Sequence, residues 1–353
     1  MSLTALFESQ ARACERLGSP FMSRLLRLSG PRLVPGHPVT DRLLAWEGDA
    51  TALGAAIALR FAGALHALVL LRRDADLVAA YPPNQVGDTM LWRAVEAAMT
   101  RHQDHMLHWI DSAPQTNEVR RSVAMIAVSH LLAERFPGLP FRLSELGASA
   151  GLNLHFDRFA LALPDGTTRG AKAPVLTLAP DWQGPLPPLS EVVVSERRGV
   201  DLNPLDPSDP AAVLRLRSYV WPDQPDRMLR LDAALAVAGP VVDRGDAGDW
   251  LARRLATAAD GMIDLVYHTI AWQYFPAATR TACRAALRAS GARATPRSPL
   301  AHLQVEAEAA GEGATVSLTL WTGQDEPEVF DLGRLDPHGR SIITSDPFDL
   351  RPR

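Results

Sequence analysis

Small residues that could hold a ligand or carry out catalysis follow a short apolar run near the middle of the chain. The run is Phe141–Leu146, and Gly147-Ala-Ser-Ala-Gly151 comes directly after it. Glycine lets a backbone approach a ligand closely, and a helix beginning at Leu152 would offer its free N–H groups to a polar or negative ligand. The same five residues fit G-x-S-x-G, the nucleophile-elbow pattern in which Ser149 would attack a substrate. The stretch therefore predicts either a cradle for a nucleotide-type ligand or a serine nucleophile.

The elements around this stretch indicate how it is positioned. Strand and helix patterns alternate over residues 141–289, which predicts βαβ units and a mostly parallel sheet. Residues 302–306 and 315–321 alternate in polarity without a helix between them, which predicts an antiparallel pair at the sheet edge. Patterns before this part are only helical. We therefore predict an α/β protein with an all-helical N-terminal region, residues 1–115, followed by an α/β domain over 116–353.

Acidic residues follow three successive predicted strands: Glu145, Asp201 and Asp246. In an open α/β sheet, ligands bind outside the carboxyl ends of the strands. A carboxylate after the second strand can accept both ribose hydroxyls, and one after the third can reach an adenine amino group. No lysine follows the glycine turn, which argues against a P-loop. The order of the acids thus predicts an adenosine site next to Gly147.

The motifs around these acids resemble those of class I S-adenosylmethionine-dependent methyltransferases. The matching stretches are Glu145-Leu-Gly-Ala-Ser-Ala-Gly, Gly199-Val-Asp-Leu-Asn-Pro, Gly245-Asp-Ala and Asp264-Leu-Val-Tyr-His. The resemblance covers about residues 140–320 and implies a Rossmann-like methyltransferase sheet with S-adenosylmethionine as cofactor. About 50 residues separate Gly151 from Asp201, where roughly 20 is usual, so a long insertion is expected there. The implied cofactor-binding residues are Glu145, Gly147, Ala148, Ser149, Gly151, Asn153, Asp201, Asp246 and Ala247.

The chain resembles more closely a bacterial family known only as domain of unknown function 2332. The matching stretches span most of the chain, and this resemblance implies a fold but no established activity. They are Leu17-Gly-Ser-Pro20, Gln115-Thr-Asn-Glu118, Gly147-Ala-Ser-Ala-Gly-Leu-Asn153, Arg197-Arg-Gly-Val-Asp201, Ser218-Tyr-Val-Trp-Pro-Asp-Gln224 and His268-Thr-Ile-Ala-Trp-Gln-Tyr274.

A methyl acceptor would need alignment, exclusion of water and, for a hydroxyl or amine, a base. His268 ends the fourth predicted strand and is the candidate base, although a histidine hydrogen-bonded at a strand end is the simpler interpretation. The segment before the cradle is expected to act as a lid, or only to cap a helix. Aromatic residues near the site could form an acceptor pocket or belong to the core. The candidate substrate residues are Asn117, Glu118, Trp221, Trp272, Gln273 and Tyr274.

Composition narrows the classes of partner. A net charge of −4 and a pI near 6.2 argue against a nucleic-acid surface, and no apolar run is long enough to span a bilayer. Two distant cysteines, Cys14 and Cys283, exclude a cysteine-built zinc site. We interpret His102, His105 and His108 as polar positions of an amphipathic helix and predict no metal. A cytoplasmic protein with a small-molecule substrate is expected, with no membrane or nucleic-acid partner; the sequence does not predict the oligomeric state.

Two alternative functions fit the same residues. A non-catalytic protein could bind an adenosine-containing ligand on the same fold, since a fold does not dictate an activity. A serine hydrolase could use Ser149 with Asp246 and either His302 or His338, which follow in the order Ser, Asp, His. The helical character of the chain before residue 141 and the lack of a His-Gly-Gly-Gly segment disfavour the hydrolase.

Overall fold

The protein divides into a helical unit and an α/β unit. The helical unit comprises Met1–Thr116 and Asp209–Leu229, and the α/β unit comprises Asn117–Ser208 and Arg230–Arg353. The N-terminal region is helical, as predicted, and the helical unit also takes in a segment from the second half of the chain. The computed structural model describes residues 2–52, 54–239, 241–307, 313–346 and 348–350.

Several helices of the described residues start at a side-chain cap. Ser2 and Ser19 accept backbone N–H groups at the first two helix starts, and Asp74 does so at the fifth. The fourth helix is buried on most sides, as its nearly uniform apolar sequence requires. The α-helices are α1 (Leu3–Arg16), α2 (Pro20–Ser29), α3 (Pro38–Leu44), α4 (Ile57–Leu70), α5 (Ala75–Ala80), α6 (Asp88–Arg101), α7 (Gln103–Asp111), α8 (Ser122–Arg135), α9 (Pro210–Ser218), α10 (Pro225–Leu235), α11 (Ala247–Arg254) and α12 (Ala277–Gly291).

Strands of the described residues form a large sheet and a small one. They are β1 (Phe141–Leu146), β2 (Phe159–Ala162), β3 (Thr168–Gly170), β4 (Leu176–Leu178), β5 (Asp181–Gln183), β6 (Val194–Asp201), β7 (Val242–Arg244), β8 (Ile263–Thr269), β9 (Leu300–Ala307), β10 (Ala314–Trp321), β11 (Glu328–Leu335) and β12 (Ser341–Thr344). The large sheet has the order β5-β12-β11-β10-β9-β8-β1-β6-β7, and the small one has the order β3-β2-β4.

The large sheet is mostly parallel, as predicted. Neighbouring strands from β7 through β6, β1 and β8 to β9 are all parallel, while β10 and β11 pair antiparallel with both of their neighbours. The predicted antiparallel pair is β9–β10, but it does not form the edge. β11, β12 and β5 continue the sheet beyond it.

The expected insertion between β1 and β6 contains no α-helix among its described residues. A 3₁₀ segment with a kink at His155, Leu152–Arg158, replaces the helix predicted at Leu152, and the small sheet follows it. α8 contacts this 3₁₀ helix, β2 and β3. Its residues from Ser122 to Ala133 are all buried, which a helix with apolar residues all round requires.

Each central strand of the large sheet presents alternate residues to opposite faces. Leu146 and Val266 pack in one apolar cluster with α11 and α12 residues such as Leu251 and Leu287. Glu145 is paired in register with Tyr267, so both point to the opposite face. The two faces of β1 and β8 therefore have different surroundings.

Candidate functional site

The candidate site lies at the carboxyl ends of β1 and β8. From β1 the chain continues to β6 and β7 on one side and then to β8 and β9 on the other, so the direction of strand addition reverses here. Ligands of open α/β sheets bind at such a reversal. The loops after the two strands meet, because a Cβ placed on Gly147 would lie 2.7 Å from the Ala271 Cβ.

The loop after β1 is held in an unusual backbone conformation. Gly147, Ser149 and Gly151 have φ of +70°, +54° and +71°, and a positive φ is uncommon for a non-glycine residue. The Gly147 and Ala148 N–H groups both donate to the Val200 carbonyl, at 2.9 and 3.0 Å. These N–H groups fix the loop to β6.

Asn117, one of the predicted substrate residues, holds the start of the 3₁₀ helix. Its Oδ1 accepts the Leu152 N–H at 2.9 Å. The side chain of Asn153 accepts from Ser122 Oγ at 2.8 Å and donates to the Glu118 carbonyl at 3.4 Å. The Asn117–Glu118 segment therefore lies directly against the loop, and its role as a lid stays a prediction.

Asp201 braces the same loop from the end of β6. Its Oδ2 accepts the Ser149 N–H at 2.9 Å, and its Oδ1 accepts the Asn203 N–H at 2.8 Å. Asp246 caps α11 and accepts from Gly248 N–H and from Thr279 Oγ1, at 2.8 and 2.5 Å. Both carboxylates thus have structural partners, and their roles in ligand binding stay predictions. Ala247, the first residue of α11, is buried.

Glu145 is the least satisfied carboxylate at the site. The residue is 2% exposed, and among the described residues its Oε2 has no hydrogen-bond partner. Burial, reinforced by the nearby Asp201, raises the pKa of Glu145 well above its ordinary value of 4.5, while Arg121 and Asn153 act in the opposite direction. A buried group of this kind needs a proton or a positively charged partner.

Arg121 is a site residue that the sequence did not single out. Its Nη1 donates to the Thr269 carbonyl at the end of β8, and its Nε donates to the Pro337 carbonyl, both at 3.0 Å. The only signal in the sequence is that Arg121 follows Glu118 closely, in a segment interpreted as a lid or a cap. Its charge lies close enough to Glu145 to affect the pKa of that group.

His268, the candidate base, is fully buried. Its Nδ1 lies 2.6 Å from Glu306 Oε1, its ring stacks on Trp272 at 4.8 Å, and the ring of His302 is 5.1 Å away. Since Val266 packs with α11 and α12, alternation places His268 on that face and Glu145 on the other. The base role stays a prediction, and the observed partner of the ring is a carboxylate that the sequence did not single out.

The aromatic candidates lie in different parts of the protein. Trp272, Gln273 and Tyr274 form a 3₁₀ turn after β8, in which Tyr274 is 52% exposed. Arg284 lies over the Trp272 ring, 5.5 Å from its centroid. Trp221 belongs to the helical unit and is buried, so the predicted substrate residues come from both units.

Two of the three histidines interpreted as polar helix positions, His102 and His105, have hydrogen-bond partners in the helical unit. His102 Nε2 lies 3.1 Å from Asp74 Oδ2, and His105 Nε2 is hydrogen-bonded to the Ala64 carbonyl at 3.0 Å. In the described ranges, no group of three His, Cys, Asp or Glu residues is arranged to hold a metal ion. None of the helices in those ranges is both long and apolar enough to cross a bilayer.

Comparison with known proteins places the chain in one family. No curated protein and no solved structure matches it. A family model described as "uncharacterized protein conserved in bacteria" (DUF2332) matches residues 4–343, nearly the whole chain. The chain therefore belongs to this uncharacterized bacterial family.

Proposed function

We propose that the protein is a methyltransferase that binds S-adenosylmethionine at the carboxyl ends of β1 and β8 and acts on a small-molecule acceptor. The observation that carries this proposal is the buried Glu145 carboxylate, whose Oε2 is unpartnered within the described chain. A buried carboxylate oxygen without a partner is costly, and a cationic ligand would compensate it. The ammonium group of S-adenosylmethionine is such a partner.

Strand order supports a nucleoside-type ligand. Numbered along the chain, the five parallel strands from β7 to β9 have the order 3-2-1-4-5. The dinucleotide-binding doubly wound sheet has the order 3-2-1-4-5-6 and binds its ligand where that order reverses. This agreement favours a Rossmann-like sheet of the methyltransferase kind, with antiparallel strands added after the fifth strand.

The chain's own residues would bind and align the ligand. Glu145 would accept the ammonium group, and the loop braced by Asp201 would fix the position of the nucleoside. Bound S-adenosylmethionine supplies an already electrophilic methyl group, so the protein mainly has to align the acceptor and exclude water. The loop after β8, with Tyr274 at its exposed side, would face the acceptor.

Ligand binding tests the proposal directly. S-adenosylhomocysteine and S-adenosylmethionine should raise the melting temperature, since a native-state ligand at 100 times its Kd adds about 2.7 kcal/mol of stability. NAD⁺ and ATP serve as controls and should not raise it. Glu145→Gln should weaken binding by about 1.5–3 kcal/mol, the range for a hydrogen bond to a charged group. If neither S-adenosylhomocysteine nor S-adenosylmethionine raises the melting temperature, the proposal is rejected. Binding without methyl transfer would favour the non-catalytic alternative.

A second candidate function is favoured by one observation. Ser149 occupies the central position of G-x-S-x-G and has φ +54°, and a strained turn after a strand is a feature of nucleophile elbows. The hydrolase alternative therefore predicts that a serine-directed probe reacts with Ser149.

A further inference from the structure

The loop after β8 contains a strained residue at the candidate site. Ile270 has φ +49°, a conformation that is a genuine outlier for a β-branched side chain. Such conformations persist only where surrounding contacts enforce them, and they cluster at functional sites. The contacts that hold Ile270 in this conformation therefore identify the groups that fix the loop.

One carboxylate holds the two residues that follow Ile270. Glu306 Oε1 accepts the N–H groups of Ala271 and Trp272, at 3.0 and 3.1 Å, and lies 2.6 Å from His268 Nδ1. Because a carboxylate only accepts, His268 Nδ1 is assigned as the donor of this hydrogen bond. His268 thereby fixes the carboxylate, and the carboxylate fixes the loop.

The position of this loop sets the space available beside the glycine loop. Ala271 is the residue whose Cβ blocks any side chain at Gly147, and the Phe275 ring also approaches that point, at 3.6 Å. The other end of the loop is held by Arg121, which donates to the Thr269 carbonyl. A shift of the backbone at Ala271 would change the wall that a ligand at the end of β1 meets.

We propose that Glu306 is a positioning residue of the ligand site, which holds the loop after β8 against Gly147 in the geometry that binds ligand. The inference rests on the proposed function, because the ligand is the one proposed there. It assigns to the His268–Glu306 pair a role through the backbone rather than through contact with the acceptor. A purely structural carboxylate would affect stability without affecting the ligand site.

The test compares substitutions at Glu306 with one at a matched carboxylate. Glu328 is a suitable control, because its side chain is 18% exposed against 17% for Glu306 and is also ion-paired, to Arg135. Affinity for S-adenosylhomocysteine is measured by calorimetry, and exchange of the Ala271 and Trp272 amides by hydrogen–deuterium exchange. Glu306→Leu should lower the affinity at least tenfold and speed exchange of both amides, whereas Glu328→Leu should do neither.

Glu306→Gln provides the conservative rescue. Its amide oxygen can still accept both loop N–H groups, so affinity should return to within about threefold of wild type. Glu306→Asp, which retracts the carboxylate by one methylene, is the second variant should Glu306→Leu not fold, and it too should lose affinity. If the wild type binds the ligand and Glu306→Asp binds it with the same affinity, this inference is overturned and the proposed function is not. Failure of the wild type to bind the ligand would overturn the proposed function and this inference with it.

Discussion

Among the carboxylates of the candidate site, Glu145 has the most unusual surroundings. Its pKa in the folded protein lies well above its ordinary value of 4.5, first because the group is buried. Between 4.5 and the raised pKa, the folded protein keeps a proton that the unfolded chain releases. The contribution of Glu145 to stability is therefore present at low pH and lost as the pH rises through the folded pKa.

Glu145→Gln should remove this pH dependence. The amide is neutral at every pH and nearly isosteric, so the variant should gain melting temperature relative to wild type as the pH rises above 4.5. Thermal denaturation from pH 5 to pH 8, without ligand, measures the difference. Glu134→Gln, at an exposed carboxylate, is the control and should follow wild type at every pH. A constant difference between Glu145→Gln and wild type across the range would contradict the prediction.

The sequence indicated some of these residues and not others, for a physical reason. Glu145 ends an apolar strand pattern and Asp201 stands in Gly199-Val-Asp-Leu-Asn-Pro, so both acids are visible locally. Arg121 and Glu306 act through contacts with residues 148 and 35 positions away, so only the folded chain brings them to the loop. Nothing in the local pattern around either residue distinguishes it from a surface charge.

At the scale of elements, the candidate site consists of two loops, after β1 and after β8, that pack against each other. The contact is so close that Gly147, at φ +70°, leaves no room for a Cβ beside Ala271. Gly147→Ala should destabilise the protein by about 1–3 kcal/mol, the cost of one residue held in a sparsely populated backbone region. It should also weaken ligand binding, because the two loops must separate.

A double substitution divides this cost into its two causes. Ala271→Gly removes the methyl group that a Cβ at Gly147 would meet, so adding it to Gly147→Ala should recover the steric part and leave the backbone strain. Chemical denaturation of the wild type, both single variants and the double variant gives the coupling free energy. If the changes in unfolding free energy of the two single variants are additive in the double variant, the two loops do not make this contact.

Element types were predictable where the pattern was long and regular. The parallel strands β1 and β8 and the antiparallel pair β9–β10 follow from apolar runs and alternation, whereas most of β6 is polar, Val194-Ser-Glu-Arg-Arg-Gly-Val-Asp201. The 3₁₀ helix after Gly151 did not follow, since its residues lack a period that separates a 3₁₀ turn from the first turn of an α-helix. The edge strand β5 has three residues and pairs with β12, about 160 positions later, a pairing without a local signal.

At the scale of the whole molecule, the mixed α/β class with a mostly parallel sheet and a helical N-terminal region followed from the sequence. Helical patterns before residue 141 predicted the helical region, which ends at Thr116 in the structure. Asp209–Leu229 joins the same unit because its residues pack there: Asp223 accepts from Ser19 Oγ and from the Phe21 N–H, at 2.5 and 2.8 Å. A helix pattern alone does not reveal which unit it packs against.

The two candidate enzyme classes must be compared at the same scale, because both local patterns are satisfied at Ser149. In an elbow, Ser149 would carry the covalent step and would need a histidine within hydrogen-bond reach. In the described part of the chain, β1 is the first strand. His302, one of the two predicted partners, lies beside His268 on the face covered by α11 and α12. In a ligand loop, Ser149 contributes a small side chain and the N–H that Asp201 accepts.

A serine-directed fluorophosphonate probe separates these roles. We expect the folded protein to remain unlabelled, while an established serine hydrolase treated in parallel is labelled. Ser149→Ala keeps the N–H and the small side chain, so affinity for S-adenosylhomocysteine should change by at most about 0.5–1.5 kcal/mol, the net contribution of one hydrogen bond. Stoichiometric labelling that disappears in Ser149→Ala would overturn the methyltransferase proposal. It would identify the strained turn after β1 as a nucleophile elbow and make the hydrolase the function that this fold performs.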